Sequence, residues 1–306
     1  MKSTRILSEG AMISAVTIAV VMMDSLCGGM ITMAFPWVYA FPILVFSARR
    51  GLCAGALTMF ASVLLAFFFT AWTTQYFLFF ALLAGLIYGT LVHHESENIW
   101  KLLVLFVITT FSNLISMVLL AAVFGYDVSQ DLAMYAEVLH FFDANGIALH
   151  LHAVTLLYFF AVLLSFLQTI SIHAGASVLL HKMQIKNKKM KNMLQIKAPR
   201  SLGIFIMVIW VLYFAQSMLK LNADTRSVLQ LCALCTVAAA VVYGIITALG
   251  WLTLRSGYRF LVIGCMLLAF VPIVNLFFAL LGEADLLLHL RQRMLRGVIH
   301  ETFRKF

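Results

Sequence analysis

Apolar residues run along this chain in nine long blocks, at about 10–27, 30–48, 51–71, 75–92, 101–124, 151–180, 202–219, 228–254 and 260–281, parted by short polar or charged stretches. A helix crosses the hydrocarbon of a bilayer with about 20 apolar residues, and each block is near that length. A spanning β-barrel would instead alternate apolar and polar positions over segments of about ten residues. The pattern therefore predicts transmembrane helices. The second block carries Pro36 and Pro42. Proline frees backbone groups that lipid cannot satisfy, so protein or water must meet them at that point.

The stretches between the blocks set the orientation. Arg49 and Arg50 separate the second and third blocks, and residues 182–200 carry Lys182, Lys186, Lys188, Lys189, Lys191, Lys197 and Arg200 with no acid. Residues 125–150 carry Asp127, Asp131, Glu137 and Asp143 with no Lys or Arg. Basic loops stay on the cytoplasmic side. That puts 49–50, 182–200 and the N-terminus, with Lys2 and Arg5, inside, and 125–150 outside, in step with six alternate crossings. Alternation then carries the C-terminus outside, whereas Arg291, Arg293, Arg296, Arg304 and Lys305 favour the inside. Eight and nine spans both remain open. The expected organisation is a six-helix membrane unit over 1–181, a basic cytoplasmic linker over 182–200, two or three further transmembrane helices over 201–282 and a basic tail over 283–306.

Composition agrees. Of 306 residues, 63% are hydrophobic and 11% charged, against about 45–50% and about 25% in soluble domains. With a mean hydropathy of +1.02, no water-facing surface can be assembled. A soluble enzyme and a nucleic-acid-binding domain are excluded, and the net charge of +9 reads as loop charge beside anionic lipid. Membrane lipid is the partner this implies; nucleic acid is not one. The N-terminal basic stretch leads into an apolar run without a small-residue cleavage site, so an uncleaved first helix is expected. Cys232 and Cys235 form a C-x-x-C among apolar neighbours, with no second pair or histidine to complete a metal site.

Candidate chemistry is sparse. Ala11, Ala15 and Ala19 recur every four residues and line one face of the first helix, flanked by Gly10 and Ser14. Small residues at that spacing admit a second helix closely, either within the bundle or from a partner. Gly51 with Gly55 and Gly85 with Gly89 allow the same two readings. Polar residues inside apolar blocks are Asn113 with Ser112, Gln168 with His173, Gln216 and Asn275; each needs a helix, water or a ligand as partner. Asp24 lies beside Gly28 and Gly29, where water is expected to solvate it. His140, Asp143, His150 and His152 gather at the end of the acidic loop, but their spacing matches no strong metal motif. No metal, cofactor or catalytic constellation is expected, and no phosphate-binding loop is present in the sequence. Any ATP-driven step would fall to another chain.

The run Pro36 to Pro42 and then Ser47-Ala48-Arg49-Arg50-Gly51 resembles the proline-bearing second helix and R-x-G turn of the YybS-like bacterial membrane proteins. The ending Gly282-Glu283-Ala284-Asp285, followed by Arg291, is similar to that family's Gly-x-x-Asp and basic cluster, with His289 where the family usually has an acid. That family is grouped with the substrate-binding (S) components of energy-coupling-factor vitamin transporters. The resemblance implies an all-α polytopic protein of the bacterial cytoplasmic (inner) membrane with an S-component-like six-helix unit. It implies that Ala11, Ala15 and Ala19 dock a coupling membrane subunit served by a separate ATPase. It also places a small solute near the outer side of the unit, under the loop between the fifth and sixth blocks. The substrate-binding candidates are then Asn113 and Gln168, on the helices joined by that loop, with His140, His150 and His152 at its end. The competing expectation is a membrane scaffold that recruits partners without transporting.

Overall fold

The computed structural model describes residues 2–121, 123, 125, 127–144, 151–185, 199–219, 221–255 and 272–291. His150, Cys265, most of the basic linker, much of the ninth apolar block and most of the basic tail lie outside the described residues. The described chain is all helical, with no strand: α1 (Lys2–Leu26), α2 (Met30–Ala34), α3 (Ala40–Arg50), α4 (Leu52–Ala66), α5 (Trp72–His93), α6 (Asn98–Leu114), α7 (Val128–Ala144), α8 (Ala153–Lys182), α9 (Arg200–Phe214), α10 (Ala223–Arg255) and α11 (Pro272–Leu288). Five helical stretches among the described residues are long and apolar enough to cross a membrane: Thr4–Leu26, Trp72–His93, Asn98–Val118, Ala153–Lys182 and Ala223–Leu252. The third and seventh apolar blocks form the shorter helices Leu52–Ala66 and Arg200–Phe214.

Two compact units divide the chain: Met1–Asp131 with Phe160–Lys189, and Leu132–Phe159 with Met190–Phe306. One division falls inside the expected linker. Residues 132–159, read in sequence as part of the six-helix unit, belong to the second unit.

In the first unit, α1 turns one stripe inward: Gly10, Ser14, Thr17, Ile18, Val21 and Asp24 are buried, the three-and-four spacing of a helix face. Ser62 Oγ donates to Ser14 Oγ at 3.1 Å, and Ser14 Oγ donates to the Thr58 carbonyl of α4 at 3.3 Å. Helix α5 packs along α3 with backbones nearly touching, since a Cβ at Gly85 would strike the Ala40 carbonyl and one at Gly89 the Leu44 carbonyl. Gly55 likewise faces Ser47 and Leu86. The two G-x-x-x-G pairs thus lie inside the unit, Gly51 as the turn into α4 at φ +82, a conformation that favours glycine.

Side chains at several helix ends of this unit meet one another. Arg50 at the end of α3 grips Glu9 of α1 with bonds of 2.9, 2.7 and 2.6 Å. His93 Nδ1 at the end of α5 meets the Ala48 carbonyl at 3.1 Å. Arg49 donates to the Met183 carbonyl just past α8 at 3.4 Å. The start of α1 and the ends of α3, α5 and α8 therefore share one basic end.

In the second unit, α10 and α11 cross at two glycines. A Cβ at Gly244 would meet the Phe278 carbonyl, and one at Gly282 the Ala240 carbonyl. Gly203 of α9 sits 3.1 Å (to an added Cβ) from Leu286 and Leu287. Helix α11 continues to Leu288, so the boundary expected between 282 and 283 falls within a helix. His289, at φ +52, ends it, donating its N–H to the Asp285 carbonyl at 2.8 Å. The chain turns back, and Arg291 closes on Asp285 through Nε at 2.5 Å and its backbone N–H at 2.8 Å.

Candidate functional site

The second apolar block does not form one helix. It breaks at Phe35 (φ −140, ψ 50), passes through a 3-10 turn over Pro36–Tyr39 and resumes as α3. Asp24 holds the break. It is 1% exposed and receives the N–H groups of Ile31 (2.6 Å) and Thr32 (3.1 Å) from the first turn of α2. The Thr32 hydroxyl (2.5 Å) and the Tyr39 hydroxyl (2.6 Å) complete its shell. This corrects the expectation that water solvates Asp24. The unpaired N–H groups at the start of a helix attract a carboxylate, and the Gly28–Gly29 turn, both residues at positive φ, brings α2 back to it. An acid just before a Gly-Gly turn, with Thr and Tyr following within one block, is the sequence signal that could have revealed the network.

Beside the break is a pocket lined by Pro36 and Trp37 on one side and by α5, α6 and α8 on the others, including Ala84, Thr109, Asn113 and Gln168. The fold thus brings together two of the expected solute-binding residues. Asn113 Nδ2 donates to Gln168 Oε1 at 3.1 Å and to Ser165 Oγ at 2.9 Å. Thr109 and Thr169 hydroxyls meet at 3.1 Å one turn away. Two polar atoms of the pair, Asn113 Oδ1 and Gln168 Nε2, have no partner among the described residues. Together they leave one acceptor and one donor unused. Two residues after Asn113 the helix widens into a π-helical turn, Ile115–Leu119, a distortion frequent at functional sites. The cavity is about 30 Å³, room for one or two waters.

Other expected residues fall elsewhere. His140 and His152 are exposed and belong to the second unit. Gln216 accepts from Gln230 at 3.4 Å, an amide contact between helices. Asn275 Oδ1 is buried without a partner among the described residues. Deeper in the first unit, the Tyr88 hydroxyl meets His173 Nδ1 at 2.8 Å, and Lys101, 1% exposed, stands with its Nζ 6.0 Å from the Tyr88 ring centroid. Sequence reading passed over Lys101 because it opens an apolar block, where a basic residue ordinarily reaches the interface.

Ala11, Ala15 and Ala19 are all exposed, whereas Gly10 and Ser14 belong to the buried stripe. The alanines form a shallow strip on the outer surface of α1, flanked by exposed Met12 and Val16. They do not pack within the first unit.

Compared with family models, with characterised proteins and with solved structures, the chain matches none.

Proposed function

We propose that the first unit binds a small solute within the membrane, in the manner of the substrate-binding components of vitamin transporters. The observation that carries this is the acceptor–donor pair of Asn113 Oδ1 and Gln168 Nε2, both on residues that line a pocket against a broken helix. Broken helices at membrane depth are tolerated where their backbone lines a cavity, and transporters use them to hold substrates. An unused acceptor and an unused donor on one contacting pair suit an amide-, lactam- or carboxyl-bearing headgroup. A solute of vitamin size needs a pocket of about 300 Å³ or more, so binding widens the gap between the Pro36–Tyr39 turn and α6–α8. In this reading the protein sits in a bacterial inner membrane with its N-terminus inside, crosses eight or nine times and belongs with the YybS-like proteins.

The test is native-ligand mass spectrometry of the purified full-length protein. Asn113→Leu and Gln168→Leu should each lower solute occupancy by about tenfold, the worth of one or two lost hydrogen bonds. Unchanged occupancy in both variants removes the pocket from the reading.

The scaffold reading is favoured by a separate observation, the exposure of Ala11, Ala15 and Ala19. A partner docked there is a coupling subunit if the protein transports and a recruited protein if it does not. Ala15→Leu should remove a co-purifying membrane partner while leaving the monomer folded. Loss of the partner with no solute found in the wild type would decide for the scaffold.

A further inference from the structure

The described residues contain three buried carboxyl groups: Asp24, Asp285 and Glu283, at 1%, 2% and 8% exposure. Asp24 is closed by Thr32, Tyr39 and the first turn of α2. Asp285 is closed by the guanidinium and backbone N–H of Arg291. Glu283 differs from both, because its two oxygens are each buried and neither has a hydrogen-bond partner among the described residues.

Its surroundings explain why no partner reaches it. Glu283 lies in the middle of α11, where the backbone N–H groups are already committed to the helix. The preceding residue, Gly282, lies against the backbone of α10. One turn on, on the same helix face, Leu286 and Leu287 pack at Gly203 of α9. The core there is Ile206 and Leu286, with Leu202, Trp210 and Tyr243 around it. The charged groups of these elements give it no hydrogen bond, and Arg226, whose Nε is itself buried without a partner among the described residues, lies fourteen residues before Ala240, the α10 residue that Gly282 meets. Asp285 is paired with Arg291, and the Tyr243 ring lies beneath the Arg291 guanidinium at 5.3 Å. Arg200, the basic residue at the start of α9, is exposed.

Burying a carboxyl without a hydrogen-bond partner is very costly when it is ionised and far less so when it is neutral. A metal cation would need several further oxygens around it, and Leu286 and Leu287, one turn on along the same helix, supply none from their side chains. We propose that Glu283 is a proton-binding site of the second unit, a carboxyl that holds a proton inside the α9–α10–α11 core and exchanges it when that core opens. Its ligand is the proton itself. The second unit then carries chemistry of its own, independent of the solute pocket in the first.

The test uses the full-length protein in lipid nanodiscs and a membrane-permeant carbodiimide, dicyclohexylcarbodiimide, which reacts with protonated carboxyl groups in apolar surroundings. Peptide mapping at about pH 7, where an ordinary glutamate is ionised, should find the adduct on Glu283 and none on Asp285. Glu283→Gln should abolish it. The infrared difference between wild type and Glu283→Gln should contain the carbonyl stretch of one neutral carboxylic acid, which decides the matter if the reagent cannot reach the site. No such band overturns the proposal, whatever the labelling. Protection of Glu283 by sodium at constant pH overturns it equally, since the site would then take a metal cation. If Glu283→Gln does not fold, mapping on the wild type and the pH dependence of its carboxylic-acid band distinguish the same outcomes.

Discussion

At the corner between α1 and α2, Asp24 accepts four hydrogen bonds; in the middle of α11, Glu283 accepts none among the described residues. Both are acids sunk in apolar helices. The difference lies in where the backbone has N–H groups to spare. At the Gly28–Gly29 turn the first turn of a new helix offers two, and two hydroxyls complete the shell. Within an unbroken helix there are none, and only a long side chain returning from elsewhere can help, as Arg291 does for Asp285 after the turn at His289. A buried acid is therefore structural near a helix end and available for a proton within a helix.

The sharpest way to break this contrast is within α11 itself. Asp285→Asn should leave the Arg291 guanidinium buried without its counter-charge and cost about 3–5 kcal/mol, read by denaturant unfolding in detergent. Glu283→Gln, a neutral replacement of similar shape whose amide finds no partner either, should cost less, about 1 kcal/mol. Equal losses at the two positions would mean that Glu283 has a charged partner after all.

A smaller effect is expected at the corner. Asp24→Asn keeps one acceptor oxygen but turns an amide toward the donors gathered there, and should cost about 2 kcal/mol in the same unfolding measurement. Tyr39→Phe, which removes one of the four bonds, should cost about 1 kcal/mol. A loss at Asp24→Asn no larger than at Tyr39→Phe would show that one bond carries the network.

The smallest effect concerns an exposed acid at a helix start. Asp127 receives the Ser129 hydroxyl at 2.6 Å and the Ser129 N–H at 2.9 Å, and these bonds hold its carboxyl below the usual aspartate range. A lowered folded value means that its contribution is complete above the ordinary value of about 3.9 and disappears as pH falls through the folded one. Amide exchange in the first turn of α7 should be faster in Asp127→Ala than in wild type near neutral pH, and the two should converge in strong acid. A gap that persists in acid would assign the protection to helix propensity alone.

Much of this was legible in the chain. Unbroken apolar blocks required helices, Pro36 marked the break, and Asn113 and Gln168 were among the polar residues in need of partners; they found each other. Which face of a spanning helix points inward was not legible. In water the buried face is the apolar one, but in lipid both faces are apolar, so the pattern carries little directional signal. The stripe of Ala11, Ala15 and Ala19 could thus be read as internal, although Gly10 and Ser14 beside it form the buried side. The Asp285–Arg291 pair was hidden for another reason. Charges after an apolar run read as a solvated tail, and only the reversal at His289 folds them back into the core.

Helix α2 is five residues long, far below the length at which a helix sustains itself in isolation. Its order is lent by its neighbours, chiefly through one carboxylate and one phenol. Residues 30–34 are therefore expected to open locally ahead of α1, α3 and α5, whose core holds Tyr39. Their amides should exchange ahead of those of the helices on either side, with Asp24 setting the free energy of that opening.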